Sequence, residues 1–515
     1  MTDNLWNAFC ATSARGPQRT AIVKGDQRLS FDEWRRHAER WASRLGALGL
    51  RRHDRVLVWM RPSPDMAVAV LGIWAAGGIV VLMDPEERSL YFTHAVERVR
   101  PFAIVREPDA ALPETDGALP TVIDFAEVDA WEKTPTFAAP GGSALPTDPA
   151  SIVFTSGSTG RPKGVTQSHG NLLRGCRAVG GYLGLTASDS LLCPVPWSFD
   201  YGFGQLLSTI VLGVNHVLPT ANNPFGVCAA IEAHGPTVFA GIPSLFTYLL
   251  RGVSPFRGTD VSSIRLVSNT GGSIPTPILE ELLDRFTHSR VCLNYGLTET
   301  YRTAYLDPAL VRDHPTSIGR GIPGVAVAIV REDGSIAAPE EEGEIVHRGD
   351  YICMGYWNDP EATARSIRPD PLAPSGVCVP TRALFTGDYG VIDERGLLYF
   401  RGRRDHQLKS MGVRVSPTEV EEFLYRSTLV RETAVFGIKH DFLGDEVWAA
   451  IVPSGGLENV PSALRHYARR VMSPHMAPAR YLVFDELPKT RTGKTDYVAL
   501  KQRAAAEAPS FGAQA

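Results

Sequence analysis

The chain has 515 residues, 44% of them hydrophobic, and its 52 basic and 56 acidic side chains leave a net charge of −4. That length exceeds the roughly 100 to 200 residues of one typical domain, so at least two cores are expected. A near-balanced charge without a long basic block argues against a nucleic-acid binder, and aperiodic Gly and Pro argue against a collagen-like or disordered chain.

In chain order, Met1–Cys10 is polar and mixed, unlike a secretory signal, and the amphipathic stretch Phe31–Leu48 reads as a helix. Arg55–Trp59, Gly78–Leu82, Ala103–Val105 and Ile152–Phe154 read as short buried strands. The longest apolar run, Ala67–Met83, is shorter than the roughly 20 residues a membrane helix needs and is interrupted by Gly72, Gly77 and Gly78. It reads as a buried helix passing into a strand, so no membrane association is expected. Ala110–Pro149, rich in Pro, Ala, Gly and Thr, reads as a surface loop. The alternation of these elements predicts an α/β fold.

From Gly343 to Tyr399 the texture changes to short strands and Gly turns, which suggests a small β-rich subdomain, and a boundary follows near Gly402–Asp405. Beyond it, Pro417–Tyr425 and Pro461–Val471 read as helices, and Glu432–Ile438 and Glu446–Val452 as strands, so residues 405–515 form a separate α+β module after a domain of residues 1–404. The closing AAAEAPSFGAQA reads as disordered. Seven scattered cysteines with no C-x-x-C pair signal neither a disulfide framework nor a zinc site, and fit a reducing cytoplasm.

The segment Thr155-Ser156-Gly157-Ser158-Thr159-Gly160-Arg161-Pro162-Lys163-Gly164 follows an apolar strand and concentrates hydroxyls, glycines and a lysine. Glycines let backbone N–H groups approach an oxyanion, hydroxyls add donors, and the lysine adds charge, so phosphate binding is a natural use; SGSTG alone is equally a flexible turn. It is not the G-x-x-x-x-G-K-[ST] loop, because Pro162 precedes the lysine and Gly164 follows it.

The full string resembles the signature of the adenylate-forming superfamily of acyl-CoA synthetases, adenylation domains of nonribosomal peptide synthetases, and luciferases. Further motifs of that family stand in the expected order: Asn294-Tyr295-Gly296-Leu297-Thr298-Glu299, Thr386-Gly387-Asp388, Gly402-Arg403-Arg404-Asp405 and Pro488-Lys489-Thr490-Arg491-Thr492-Gly493-Lys494. The resemblance covers nearly the whole chain. It implies a large N-terminal domain of αβα-layered subdomains with a small β-rich subdomain, then a small mobile C-terminal domain. It also implies an enzyme that uses ATP and Mg²⁺ to convert a small carboxylic or amino acid into an acyl adenylate. The acyl group then passes to the thiol of CoA or of phosphopantetheine on a separate carrier protein.

By that resemblance Tyr295 faces adenine, Thr298 the α-phosphate, and Glu299 holds Mg²⁺, a hard cation that prefers oxygen. Asp388 takes the ribose, Arg403 makes a second ribose or a phosphate contact, Gly271-Gly272-Ser273 let backbone approach adenine and the acyl phosphate, and Lys494 bridges carboxylate and α-phosphate. Asp405 is the implied hinge, and the loop holding Lys409 and Gly412 the implied thiol tunnel. The acid pocket is expected from Phe199, Asp200, Phe203, Gly241, Ile242, Asn269, Thr270, Tyr301 and Arg302. Many CoA ligases carry His where Phe199 stands, whereas amino-acid adenylation domains show Phe-Asp, with the Asp on the α-ammonium. Asp200 thus hints at an amino acid, while an Asp satisfied by backbone donors or by a protein cation such as Arg302 is the other reading. Arg302 itself could bind a second carboxylate or be a surface charge. Transfer to an amine, and a catalytically silent adenylate-binding relative, stay open as alternatives.

Overall fold

The computed structural model describes residues 3–87, 89–113, 119–125, 140–155, 162–376, 378, 381–403, 408–410, 413–440, 444–455, 459–490 and 493–507. Three sheets organise them. A seven-stranded sheet runs in the order Gly355–Tyr356, Lys163–Ser168, Pro149–Thr155, Ile79–Met83, Arg55–Trp59, Ala103–Arg106, Thr121–Asp124. Its central strands are parallel, and their unbroken runs of Val, Ile and Leu are buried, Ile79–Met83 at every position.

The helix Phe31–Ala47 starts at a capping box in which Ser30 and Glu33 satisfy each other's backbone N–H groups. Its buried Trp34, Ala38, Trp41 and Leu45 recur at helical spacing. The run read as helix into strand is the helix Pro64–Ala75, capped by Ser63, followed by the strand Ile79–Met83. Gly77 between them takes φ +81°, which a side chain would resist. Among the described residues no helix is long and apolar enough to cross a membrane.

The second sheet has 14 strands. Thr20–Lys24, Asn215–Leu218, Ser190–Leu192, Val238–Gly241, Leu266–Asn269 and Arg290–Tyr295 lie parallel in that order. Past Arg290–Tyr295 the sheet turns antiparallel through Ala304–Leu306 and Ser317–Gly321 to Leu398–Arg403, Arg382–Ile392, Gly343–Gly349 and Val325–Val330. The β-rich region expected from Gly343 is therefore continuous with the larger sheet.

The third sheet lies wholly beyond residue 407: Val413–Val415, Leu408–Ser410, Gly444–Pro453 and Val430–His440, with Arg480–Val483 added parallel to Gly444–Pro453. Helices Pro417–Arg426, Val460–Val471 and Tyr497–Glu507 accompany it.

Two expectations are corrected. The loop assigned to 110–149 contains the strand Thr121–Asp124, an edge strand too short to show alternation, and a turn of 3₁₀ helix at Pro140–Ser143. The tail read as disordered from Ala504 is helical through Glu507, because Leu500 and Ala504, four residues apart, are fully buried against Phe436 and Trp448 of the third sheet.

Candidate active site

In open α/β sheets, ligands bind beyond the carboxyl ends of parallel strands. Here the ends of Val238–Gly241, Leu266–Asn269 and Arg290–Tyr295 lead directly into the segments singled out in the sequence: Ile242, Thr270 to Ser273, and Gly296 to Glu299. Gly271 takes φ +87°, and a Cβ on it would lie 3.4 Å from Ile242 and 3.8 Å from both Lys494 Cε and the Phe199 ring. Three distant stretches of chain therefore converge on one backbone position. Gly272 and Ser273 beside it are exposed.

The phosphate-loop candidate is closed at its base. Thr155 and Lys163 are partners in the antiparallel pair Pro149–Thr155 and Lys163–Ser168. Ser156, Gly157, Ser158, Thr159 and Gly160 lie outside the described residues, as do Asp405 and Gly412. Lys409 sits in the strand Leu408–Ser410. Lys163 Nζ stands 5.0 Å over the Tyr356 ring, and the Tyr356 hydroxyl donates to Glu299 Oε1 at 2.7 Å. Glu299 belongs to the one-turn helix Thr298–Thr300, which is held by Gln167 Nε2 donating to the Thr298 carbonyl and by Cys353 N–H donating to the Glu299 carbonyl.

Asp388 is buried opposite Arg403 in the antiparallel pair Arg382–Ile392 and Leu398–Arg403. Arg403 Nη1 stands 3.6 Å from Asp388 Oδ1, and the Tyr295 hydroxyl donates to Oδ2 at 2.6 Å. Burial raises the Asp388 pKa, while Arg403 and the Tyr295 bond oppose it. Oδ1 has no hydrogen-bond donor among the described residues, so a buried acceptor is left for a ligand hydroxyl. That orphan, the Glu299 carboxylate and the open approach at Gly271 fit a magnesium nucleotide: a ribose hydroxyl on Asp388 and Mg²⁺ on Glu299.

Lys494 arrives from the far end of the chain on a tight loop. The Thr490 N–H donates to the Lys494 carbonyl, and Gly493, at φ +75°, lies so close to Ile242 that a Cβ would sit 2.8 Å from it. Lys494 Nζ is 5.2 Å from the centre of the Phe199 ring. Enclosure by the cleft walls lowers its pKa, opposed by Asp200, Asp388 and Glu299 and assisted by Arg403. Its surface stays open to solvent, so water offsets part of that lowering. Asp200 opens the helix Asp200–Leu212; burial raises its pKa against the charges of Arg302 and Lys494.

Arg302 is not a surface charge. It is 4% exposed, with its guanidinium 5.1 Å over the Tyr201 ring and Nη1 donating to Thr270 Oγ1 at 3.3 Å. Burial would lower its pKa, but Tyr182, Tyr201, Asp200 and Tyr301 outweigh that and raise it.

Other sequence candidates are engaged internally. Asn294 donates to the Asn269 carbonyl and accepts from the Tyr182 hydroxyl at 2.5 Å, which fixes the strand ends to each other. Gly296 passes so close to Arg302 that a Cβ would lie 2.9 Å from its Cα. Phe203 is 2% exposed and packs on Trp74 in the core, and Gly241 lies against the Phe246 ring. Tyr356 and Gln167 were missed in the sequence. GYWNDPE carries Tyr356 but gives no local sign that it reaches Glu299, 57 residues earlier.

Comparisons with known proteins bear on this geometry. A family model described as AMP-binding enzyme matches residues 9–357, and one described as AMP-binding enzyme C-terminal domain matches residues 419–494. The long-chain-fatty-acid–CoA ligase of Bacillus subtilis (strain 168) is 28% identical, over 95% of this chain and 92% of its own length. Tyrocidine synthase 2 of Brevibacillus parabrevis is 29% identical over 96% of this chain, which spans 14% of that much longer protein. Among solved structures, the o-succinylbenzoate CoA synthetase of Bacillus subtilis, in complex with its acyl-adenylate intermediate, superposes with a TM-score of 0.85 at 26% identity, covering 96% of this chain and 98% of that one. The same synthetase in complex with ATP and magnesium ion gives a TM-score of 0.81 at 25% identity, covering 96% and 99%.

Proposed function

Because the chain belongs to the AMP-binding enzyme family, we propose that it activates a carboxylic acid in two steps through the residues gathered around Lys494. In the first, a carboxylate oxygen of the acid attacks the α-phosphorus of ATP and pyrophosphate leaves. In the second, a thiolate attacks the acyl carbonyl and AMP leaves. A carboxylic acid is already ionised above a pKa of about 4, so the first step needs no general base. Its demands are positioning and compensation of charge as it builds on the phosphorus oxygens.

The observation that carries this reading is that Lys494, from the far end of the chain, lies beside Gly271 and the Phe199 ring, within electrostatic reach of Glu299, Asp388 and Asp200. Asp388 and Arg403 would take the ribose, with Thr155, Lys163, Thr298 and the Gly271 backbone toward the phosphates. Mg²⁺ on Glu299 would neutralise phosphate charge. We place the boundary between the main domain and the module carrying Lys494 at 404/405, with Asp405 as the hinge, since Lys494 and an incoming thiol compete for one approach.

For the acceptor, end-to-end similarity to a CoA ligase and to part of a peptide synthetase supports CoA or carrier-bound phosphopantetheine. The seven cysteines are unpaired, which supports a reducing compartment such as the cytoplasm. Asp200, at the start of the helix Asp200–Leu212 and within electrostatic reach of Lys494, supports an acid that also carries an ammonium group.

The test is acid-dependent pyrophosphate release from MgATP over fatty, aryl, dicarboxylic and amino acids. Lys494→Ala is expected to lower the rate about 10²- to 10³-fold, as loss of one fixed electrostatic partner does. Unchanged release in that variant would remove Lys494 from the reaction.

A further inference from the structure

The sequence leaves Arg302 open between a surface charge and a ligand for a second carboxylate, and the structure removes the first of these. The side chain is 4% exposed, and among the described residues no carboxylate lies within ion-pair distance of it. Asp200 acts on it only across a gap. The groups in contact with the guanidinium are neutral: the Tyr201 ring at 5.1 Å, the Thr270 hydroxyl at 3.3 Å and the Tyr182 hydroxyl. Its Nε is buried with no hydrogen-bond partner among the described residues. A guanidinium out of water with a donor unmet is strongly destabilising unless an anion completes it.

The backbone around Arg302 points the same way. Tyr301, between Glu299 and Arg302, takes φ +56° and ψ −56°, and the Arg302 N–H donates to the Thr300 carbonyl at 2.5 Å. This is the strained form of the γ-turn, rare outside positions that the surrounding structure enforces. The enforcement is visible: the Tyr301 ring lies against Gly175, where a Cβ would fall 2.8 Å from it, and its hydroxyl lies near Gly204. The turn reverses the chain so that Glu299 meets Tyr356 on one side while Arg302, three residues on, lies over Tyr201 and beside Thr270. Thr270 directly precedes Gly271, where Lys494 and Phe199 converge.

We propose that the acid activated by this chain carries, besides the carboxylate that reacts, a second anionic group, a carboxylate above all, which the Arg302 guanidinium holds. The proposal rests on the adenylation reading and narrows its substrate class. The reacting carboxylate goes to Lys494 and the second anion to Arg302. An ammonium group on the same acid would face Asp200, so an amino dicarboxylic acid would satisfy all three charges. The planar fork of Arg suits a carboxylate, which a lysine point charge reads less well.

The test measures pyrophosphate release by the full-length protein with chain-length-matched pairs: glutarate against pentanoate, and glutamate against norvaline. Wild type is expected to favour the acid with the second carboxylate by about 10- to 100-fold in kcat/KM, the range of a charge-assisted hydrogen bond. Arg302→Met should erase that ratio chiefly through KM, and Arg302→Lys should retain part of it. A wild-type preference for the monocarboxylic partner, or a ratio undiminished in Arg302→Met, overturns the proposal while leaving adenylation intact. Silence with every acid overturns the adenylation reading as well. Should Arg302→Met fail to fold, the wild-type rank order and Arg302→Lys still decide.

Discussion

The Tyr356 hydroxyl offers a sharp perturbation, because Phe removes one oxygen and little else. The ring is 9% exposed and also carries Lys163 Nζ at 5.0 Å, a contact that Phe keeps. What is lost is the 2.7 Å bond to Glu299 Oε1, together with a contact to the Ser366 hydroxyl. A hydrogen bond to an ionised carboxylate contributes about 1.5–3 kcal/mol, and Glu299, only half-buried, recovers part of that from water. A net cost of about 1.5–2 kcal/mol corresponds to a fall of roughly 10- to 30-fold in kcat/KM for MgATP. Initial rates of pyrophosphate release would be measured across MgATP concentration and then across free Mg²⁺ at fixed ATP. Tyr356→Phe should need more Mg²⁺ to reach half its maximal rate, and Tyr356→Ala, which also loses the Lys163 contact, should be slower still. A Tyr356→Phe enzyme with wild-type melting temperature and kcat/KM within twofold of wild type would refute the claim that this bond orients the carboxylate.

Two further outcomes are expected away from the chemistry. Glu421 joins the helix Pro417–Arg426 to strand Val430–His440 and to the last helix, accepting from Val435 N–H and the Tyr497 hydroxyl, and burial raises its pKa to about 7 from 4.5. The folded state thus favours the protonated form, so its contribution is full below about pH 4.5 and is lost as pH rises through about 7. The span is at most about 3 kcal/mol, reduced because the side chain is only half-buried. Glu421→Gln should flatten the fall in melting temperature between pH 5 and 8; an equal fall in both proteins counts against the assignment. Glu422 Oε2 accepts from the Thr276 N–H at the start of the helix Thr276–Arg285, a contact between the module that carries Lys494 and the main domain. Glu422→Ala should cost this arrangement about 1 kcal/mol and slow adenylation about fivefold, while thioester formation from a preformed adenylate is unchanged. Equal slowing of both half-reactions would argue against an orientation-specific role.

What the sequence made legible was local. The helix at Phe31 follows from Ser30 and Glu33 three residues apart, and the switch from helix to strand after Ala75 follows from Gly77 and Gly78 inside an apolar run. The last helix was misread because its composition, Ala-rich and weakly amphipathic, shows its buried face only when Phe436 and Trp448 are placed beneath it. The same contact region holds Tyr497, which donates to Glu421, 76 positions earlier.

The site divides along the same line. The family resemblance pointed to Glu299, Asp388 and Lys494, each within a short motif string. It could not supply their partners, since Tyr356, Tyr295 and Arg403 meet those carboxylates across 57, 93 and 15 positions of chain. Arg302 was ambiguous for a physical reason: its exposure depends on the backbone dihedrals of Tyr301, and no propensity rule places a tyrosine in a strained γ-turn. Once that turn is formed, the alternatives differ in energy as well as in geometry. An exposed arginine needs nothing, whereas a buried one without a carboxylate needs an anion, and the anion available in an acid-activating pocket is the acid itself. On that proposal the specificity of the site would be set by the residue immediately after a strained turn, and Gly175 and Gly204, which make room for the Tyr301 side chain, would share in it by positioning the guanidinium.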